Sequence, residues 1–205
     1  MQITPVTPDR LVDEVVALVD ARPGRVRTAL DGPPPTQPLA LAEQAAVQLR
    51  TRGRETVVVN AGDFLRPASL RLEFGRADPD EFLDGWLDAG GLRREVLDPA
   101  APTGSGRVLP RLWDAATDRA HRDRHVQLPP DGVVLLAGSL LLGRGLPLDL
   151  AVHLRMTEAA LTRTLPPGEH WTLPAYTRYE DERHPSDQAD LVVLSDHPTR
   201  PAVRR

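Results

Sequence analysis

Val26-Arg27-Thr28-Ala29-Leu30-Asp31-Gly32-Pro33-Pro34-Pro35-Thr36-Gln37-Pro38-Leu39 is the stretch whose reading decides the fold. Val26 to Leu30, with Val26, Ala29 and Leu30 apolar and turn residues after it, predicts a buried strand. Leu39 to Arg52 then sets Leu41, Ala45, Ala46 and Leu49 on one helical face. Strand, Gly-containing loop and helix in this order have the layout of a phosphate-binding loop. A loop of the form G-x-x-x-x-G-K-[ST] cradles phosphates with backbone N–H groups, reaches the terminal phosphates with its Lys and holds Mg²⁺ with its hydroxyl. Here Asp31, Gly32 and Thr36 remain, while Gln37, Pro38 and Leu39 stand where Gly, Lys and Ser or Thr belong. Proline has no N–H, so Pro33, Pro34, Pro35 and Pro38 remove four potential donors. All 25 basic residues are Arg, so no Lys can come from elsewhere in the 205 residues. A hydrogen bond to a charged group is worth ~1.5–3 kcal/mol, and several such losses turn a micromolar dissociation constant into a millimolar one.

Working outward, Leu11, Val12, Val15, Val16 and Val19 fall at helical spacing and predict an amphipathic helix over 9–21, stopped by Pro23-Gly24. Residues 1–25 therefore read as a helical leader packed on a single domain, 26–205. Thr56 to Asn60 carries a continuous Val run and predicts a strand buried on both faces. Strand, helix and strand within about 35 residues suggest a parallel βαβ crossover. Gly62 to Pro79 has little periodicity and holds many charged residues, the pattern of a functional loop. Helices fit 79–88, 91–98, 157–165 and 174–183, an edge strand fits 107–112, and further strands fit 133–137, 148–154 and 189–194. The alternation predicts an α/β class, a doubly wound and mostly parallel sheet. Asp31, Asp63 and Ala137 are expected at one edge of that sheet.

Composition narrows the function. Twenty-nine acids against 25 Arg give a net charge of −4, without the concentrated basic face that non-specific nucleic-acid binding needs. The absence of cysteine excludes disulfides, thiolate catalysis and Cys-based zinc sites. His121 and His125 share helical spacing but lack a third ligand, so no metal site is read. Met1 to Pro5 lacks a signal-peptide pattern, and Val133 to Leu142 is far shorter than the ~20 residues of a spanning helix. The expectation is a cytoplasmic protein with neither nucleic acid nor membrane as partner.

Six local patterns occur in one order and resemble the uridine kinase and phosphoribulokinase family of P-loop kinases from about Val26 to Leu194. Residues 26–39 fall where the family has its ATP loop. Asp63-Phe64-Leu65 is similar to its D-x-F-Y segment, and Asp78-Pro79-Asp80-Glu81-Phe82 to its H-P-D-A-F helix start. Trp113-Asp114-Ala115-Ala116-Thr117-Asp118-Arg119 resembles the base-packing Y-D-F-x-x-H-S-R segment, with Asp118 in place of the His. Val134 to Leu140 is similar to the strand ending E-G-I-L, with Ala137 in place of the acid. Arg178-Tyr179 through Ala189-Asp190-Leu191-Val192-Val193 follows the family's last helix and strand.

The resemblance implies a nucleoside-kinase type of P-loop fold, Mg-ATP as donor and phosphoryl transfer to a nucleoside-like hydroxyl. It implies Asp63 as catalytic base, Asp78, Asp80, Trp113, Asp114 and Arg119 around the acceptor, and Arg155 and Arg163 as lid arginines. The residues alone leave blander roles open: Asp63 as a turn or cap, Asp31 as a turn residue, Asp78 as a helix cap before Pro79, and Trp113 as packing. Phosphoryl transfer is positioning plus charge neutralisation, and the loop composition predicts that it is impaired. A second reading is a nucleoside- or sugar-binding regulatory module that keeps the acceptor pocket without the chemistry. A homo-oligomer stays open.

Overall fold

The computed structural model describes residues 2–197 and 199–204. Seven strands form one sheet: β1 (Ile3–Pro5), β2 (Val26–Asp31), β3 (Thr56–Asn60), β4 (Val133–Gly138), β5 (Leu150–Arg155), β6 (Leu191–Leu194) and β7 (Ala202–Arg204), in the order β1-β7-β6-β5-β2-β4-β3. The five strands from β6 to β3 are mutually parallel, and β7 and β1 add an antiparallel edge. The five strands expected from their apolar runs are thus the parallel ones. The antiparallel pair was not expected, because Ile3–Pro5 and Ala202–Arg204 are three residues long and carry no apolar run.

Successive side chains of a strand point to opposite faces, and here both faces are covered. Leu30, Leu135 and Val193 pack with α1 (Pro8–Asp20) and α2 (Pro38–Thr51) in one apolar cluster. Ala29, Val134 and Leu136 pack on the other face with Phe64, Leu83, Leu97, Tyr176 and Tyr179. α1 buries Leu11, Val12, Val15, Val16 and Val19, and Thr7 caps it by accepting from the Arg10 N–H at 3.2 Å. Residues 2–25 therefore contribute one strand and one helix to the same layers.

Several expected boundaries move. The helix from Pro79 ends at Asp84, before Gly85, and forms α3 (Pro79–Asp84). The stretch expected as a helix over 91–98 is a short helix, Ala89–Leu92, continued by a π-turn, Arg93–Leu97. The expected strand over 107–112 is two residues, Arg107–Val108, cut short before Pro110, which cannot donate to a ladder. β5 begins at Leu150 because Asp149 turns to bind Arg27. After α4 (Glu158–Thr164), the last helical stretch divides into α5 (Leu173–Arg178) and a π-turn, Tyr179–Arg183. Among the described residues, no helix is long and apolar enough to cross a membrane.

Candidate functional site

β2, β4 and β3 end together, with Asp31 opposite Gly138 and Asn60 opposite Ala137, and the carboxyl edge of a parallel sheet is where open α/β folds bind ligands. The loop after β2 is closed on itself. Pro33 is extended, Pro34–Thr36 forms a 3-10 turn, and Gln37 takes the left-handed conformation at φ 56° before Pro38 opens α2. Only three residues between 32 and 38 have an N–H, and each gives it to a backbone carbonyl. Gly32 donates to Gly138 at 2.9 Å, Thr36 to Pro33 at 2.9 Å and Gln37 to Pro34 at 3.0 Å. The Thr36 hydroxyl also turns back to Pro33 O at 2.7 Å. Gly32 is required by packing: a Cβ there would lie 2.6 Å from Thr36 Oγ1 and 2.7 Å from Leu154 Cβ.

Beside this loop, side-chain charges pair with one another. Asp31 is fully buried and accepts from the Leu141 N–H at 2.8 Å, from the Tyr179 hydroxyl at 2.9 Å and from His153 Nδ1 at 2.8 Å. His153 Nε2 lies 2.9 Å from Glu180 Oε1, and Arg155 Nε donates to Glu180 Oε2 at 3.3 Å. With a carboxylate at each nitrogen, the imidazole keeps both protons. Burial opposes its charge, but the hydrogen bonds to Asp31 and Glu180 outweigh burial and push its pKa up to about 9. Burial likewise pushes the Tyr179 hydroxyl up, and Asp31 adds to the shift. Asp31, Gly32, His153, Arg155, Tyr176 and Glu180 face a cavity of 200 Å³.

A second cavity of 370 Å³ opens on the other side of Tyr176, between the loop, the end of β3 and α3. Its apolar wall comes from Phe82, Trp86, Leu65 and Leu87. Phe82 meets the rings of Trp86, Trp171 and Tyr176 edge-on at 5.2, 5.5 and 5.8 Å. The Arg71 guanidinium sits 5.3 Å from the Trp86 ring centre, in cation–π range. None of this aromatic cluster was singled out from the sequence as a site.

The sequence-derived candidates lie as follows. Asp63 follows β3 on a 3-10 turn, Ala61–Phe64, at the expected sheet edge, with Oδ1 3.6 Å from His121 Nε2. Burial raises its carboxyl pKa, while His121 and Arg111 pull against that shift. Asp78 caps α3, accepting from the Asp80 and Glu81 N–H groups at 2.9 and 3.0 Å. Asp80 is paired with Arg178. Trp113 and Asp114 form a two-residue hairpin arm opposite Arg119 and Ala120. Trp113 donates its indole N–H to Asp118 at 3.1 Å, and Asp114 accepts from Thr117 Oγ1 at 2.6 Å. Arg119 and Arg163 are exposed, Arg163 in the last turn of α4. Asp31 and Arg155 come together through His153 and Glu180. Asp63, Asp78, Asp80, Trp113, Asp114 and Arg119 line neither cavity.

No protein-family model and no curated protein matches the sequence. Solved structures do match the fold. A protein assigned as a uridine kinase from Bacillus stearothermophilus superposes with a TM-score of 0.72 at 20% identity, covering 90% of this chain and 97% of that one. A protein assigned as a fructose transport system kinase from Silicibacter sp. TM1040 gives 0.64 at 23% identity, over 87% and 96% of the two chains. A D-glycerate 3-kinase from Cryptococcus neoformans gives 0.55 at 14% identity, over 85% and 80%. At these identities the likeness establishes the fold alone, an α/β fold shared with these kinases.

Proposed function

We propose that this chain binds a small organic ligand in its aromatic cavity and does not transfer phosphoryl groups from Mg-ATP. The observation that carries this reading is the closed loop: from 32 to 38 every N–H is either absent through proline or bonded to a carbonyl. An anion nest needs those donors free. The residues present do not fit Mg-ATP in other respects. The chain has no Lys, Leu39 has no hydroxyl, and both Asp31 oxygens already have donors. The adjoining cavity is lined by Asp31, Glu158, Glu180 and Asp181 against Arg155 and a protonated His153, which repels a triphosphate.

The kinases of like fold are named for a nucleoside, a fructose system and a glycerate, so the fold by itself selects no acceptor. Calorimetric titration with Mg-ATP, and a coupled assay with ATP and uridine or cytidine, test the reading. Affinity for Mg-ATP no tighter than millimolar, and no turnover, are expected. A turnover in the usual range of ~1–100 s⁻¹, abolished by Asp63→Asn, would overturn it. That outcome favours the second reading: an altered-donor nucleoside kinase with Asp63 as base and Asp78, Trp113, Asp114 and Arg119 at its acceptor. The observation on its side is the half-buried Asp63 beside His121 at the carboxyl edge, a carboxyl pushed toward the range of a general base.

A further inference from the structure

The aromatic cavity carries a single formal charge. Of the residues that line it only Arg144 is ionised, and no carboxylate faces it. Arg144 Nε donates to Leu140 O at 2.5 Å, one terminal nitrogen donates to Leu83 O, and the other reaches Asp84 O at 3.5 Å. All three acceptors are neutral carbonyls. A guanidinium has five N–H groups, so two remain without a protein acceptor. The Asp84 carboxylate, the acid on the neighbouring turn, is taken by Arg183 at 2.9 Å and by Arg178. Among the described residues Arg144 therefore has no ion pair, although burial is strong enough to lower its pKa. Arg144 is part-buried and feels the Asp84 carboxylate only through space, without a direct ion pair, and an anionic ligand supplies a direct partner.

One other polar group of the wall, Asn60, agrees in sign. Asn60 Oδ1 accepts from the Gly62 N–H at 2.9 Å, which leaves the Asn60 amide nitrogen to donate. The wall has no carboxylate to receive a sugar's hydroxyls. Phe82, Trp86 and Tyr176 present ring surface to a flat apolar body. The volume of 370 Å³ suits a small organic molecule. We infer that the cavity is a site for a flat aromatic monoanion, an aryl carboxylate in its simplest form, with Arg144 as the anion partner and the Phe82, Trp86 and Tyr176 rings as the apolar bed.

The inference rests on the ligand-binding reading above and narrows its ligand class. Calorimetric titration of the intact chain, without nucleotide, uses 2-naphthoate, its neutral counterpart 2-naphthamide, and uridine. The carboxylate is expected to bind at least about tenfold more tightly than the amide, the scale of one charge-assisted hydrogen bond. Arg144→Gln should abolish the preference and Arg144→Lys should keep part of it. Because Arg144 also ties its loop to α3, a second variant guards the test. Leu39→Glu places an acid in the cavity wall on the first turn of α2, where an acid is tolerated. It should weaken 2-naphthoate at least about tenfold more than it weakens 2-naphthamide. Equal affinity for the two naphthyl probes, binding of uridine alone, or binding of none of the three overturns the inference. The absence of kinase activity is judged separately, by turnover with ATP.

Discussion

Replacing His153 by Gln removes the positive charge that holds Asp31 and Glu180 together. The His153 side chain is 2% exposed and that of Asp31 is 0% exposed, so solvent screens this contact little. Burial disfavours the imidazolium, yet the hydrogen bonds to the two acids move its pKa from 6.5 to about 9. At 1.36 kcal/mol per pKa unit, that difference corresponds to ~3 kcal/mol of native-state stability. Because the folded value is raised, the contribution is complete below the unfolded value of 6.5 and is lost as the pH climbs through about 9. Gln can still donate to one carboxylate but brings no charge. Urea unfolding followed by circular dichroism, from about pH 6 to about pH 10, measures the gap between wild type and His153→Gln. The gap should be ~3 kcal/mol at the acid end and close toward zero at the alkaline end. A gap of the same size across the range would refute the reasoning, since the ring would then stabilise the fold as a neutral, packed group.

Further perturbations probe the loop and the sheet edge. Gly32→Ala drives a methyl to within 3 Å of Thr36 and Leu154 and should cost ~1–3 kcal/mol in urea unfolding, as overpacking does. Gln37→Gly relieves a left-handed residue at φ 56° and should raise stability by up to ~1 kcal/mol, read as a higher melting temperature. Asp149→Asn weakens the pairing with Arg27, whose Nε and Nη2 donate at 2.9 and 2.7 Å, and should cost ~1–3 kcal/mol. Burial acts to raise the Asp149 pKa, but the Arg27 hydrogen bonds prevail and hold it below the ordinary 3.8. The wild-type advantage over Asp149→Asn should therefore persist above about pH 4 and disappear as acid titrates the carboxylate below that.

The fold was legible because the inner parallel strands are buried on both faces. Val133 to Ala137 reads as an unbroken apolar run and is a fully buried inner strand; Val57 to Val59 reads the same way, but β3 is the edge strand of the sheet and its Val57 and Val58 are only half-buried. The cap at Asp78 and the proline at position 79 likewise marked the true start of α3. What escaped was set by contacts distant in sequence. β1 and β7 have their polar backbone groups satisfied by each other and by β6, a pairing between the two ends of the chain that no local pattern announces. The π-turns at Arg93–Leu97 and Tyr179–Arg183 read as ordinary helix, since the hydrophobic spacing that precedes them does not change.

The site was less legible, for a reason of strand order. Asp31 and His153 are 122 residues apart, and they meet because β5 lies beside β2 with Asp31 opposite His153. One local signal existed: His153 interrupts Leu150-Ala151-Val152 and Leu154, and a titratable residue inside a fully buried strand needs a partner. Glu180 arrives from the π-turn after α5, a type of helix irregularity often found at functional positions. Once these groups are assembled, the donor edge of the cleft is self-neutralised. Its imidazolium is bound between two carboxylates, Arg155 is held by Glu180, and the loop amides are bound to carbonyls. An incoming phosphate would have to break these pairs before gaining anything from them, whereas Arg144, on the far side of Tyr176, is bound by carbonyls alone and gains from any anion that reaches it. The chemistry of this cleft therefore favours the aromatic side, where the sequence offered only scattered aromatic residues and an arginine in a turn.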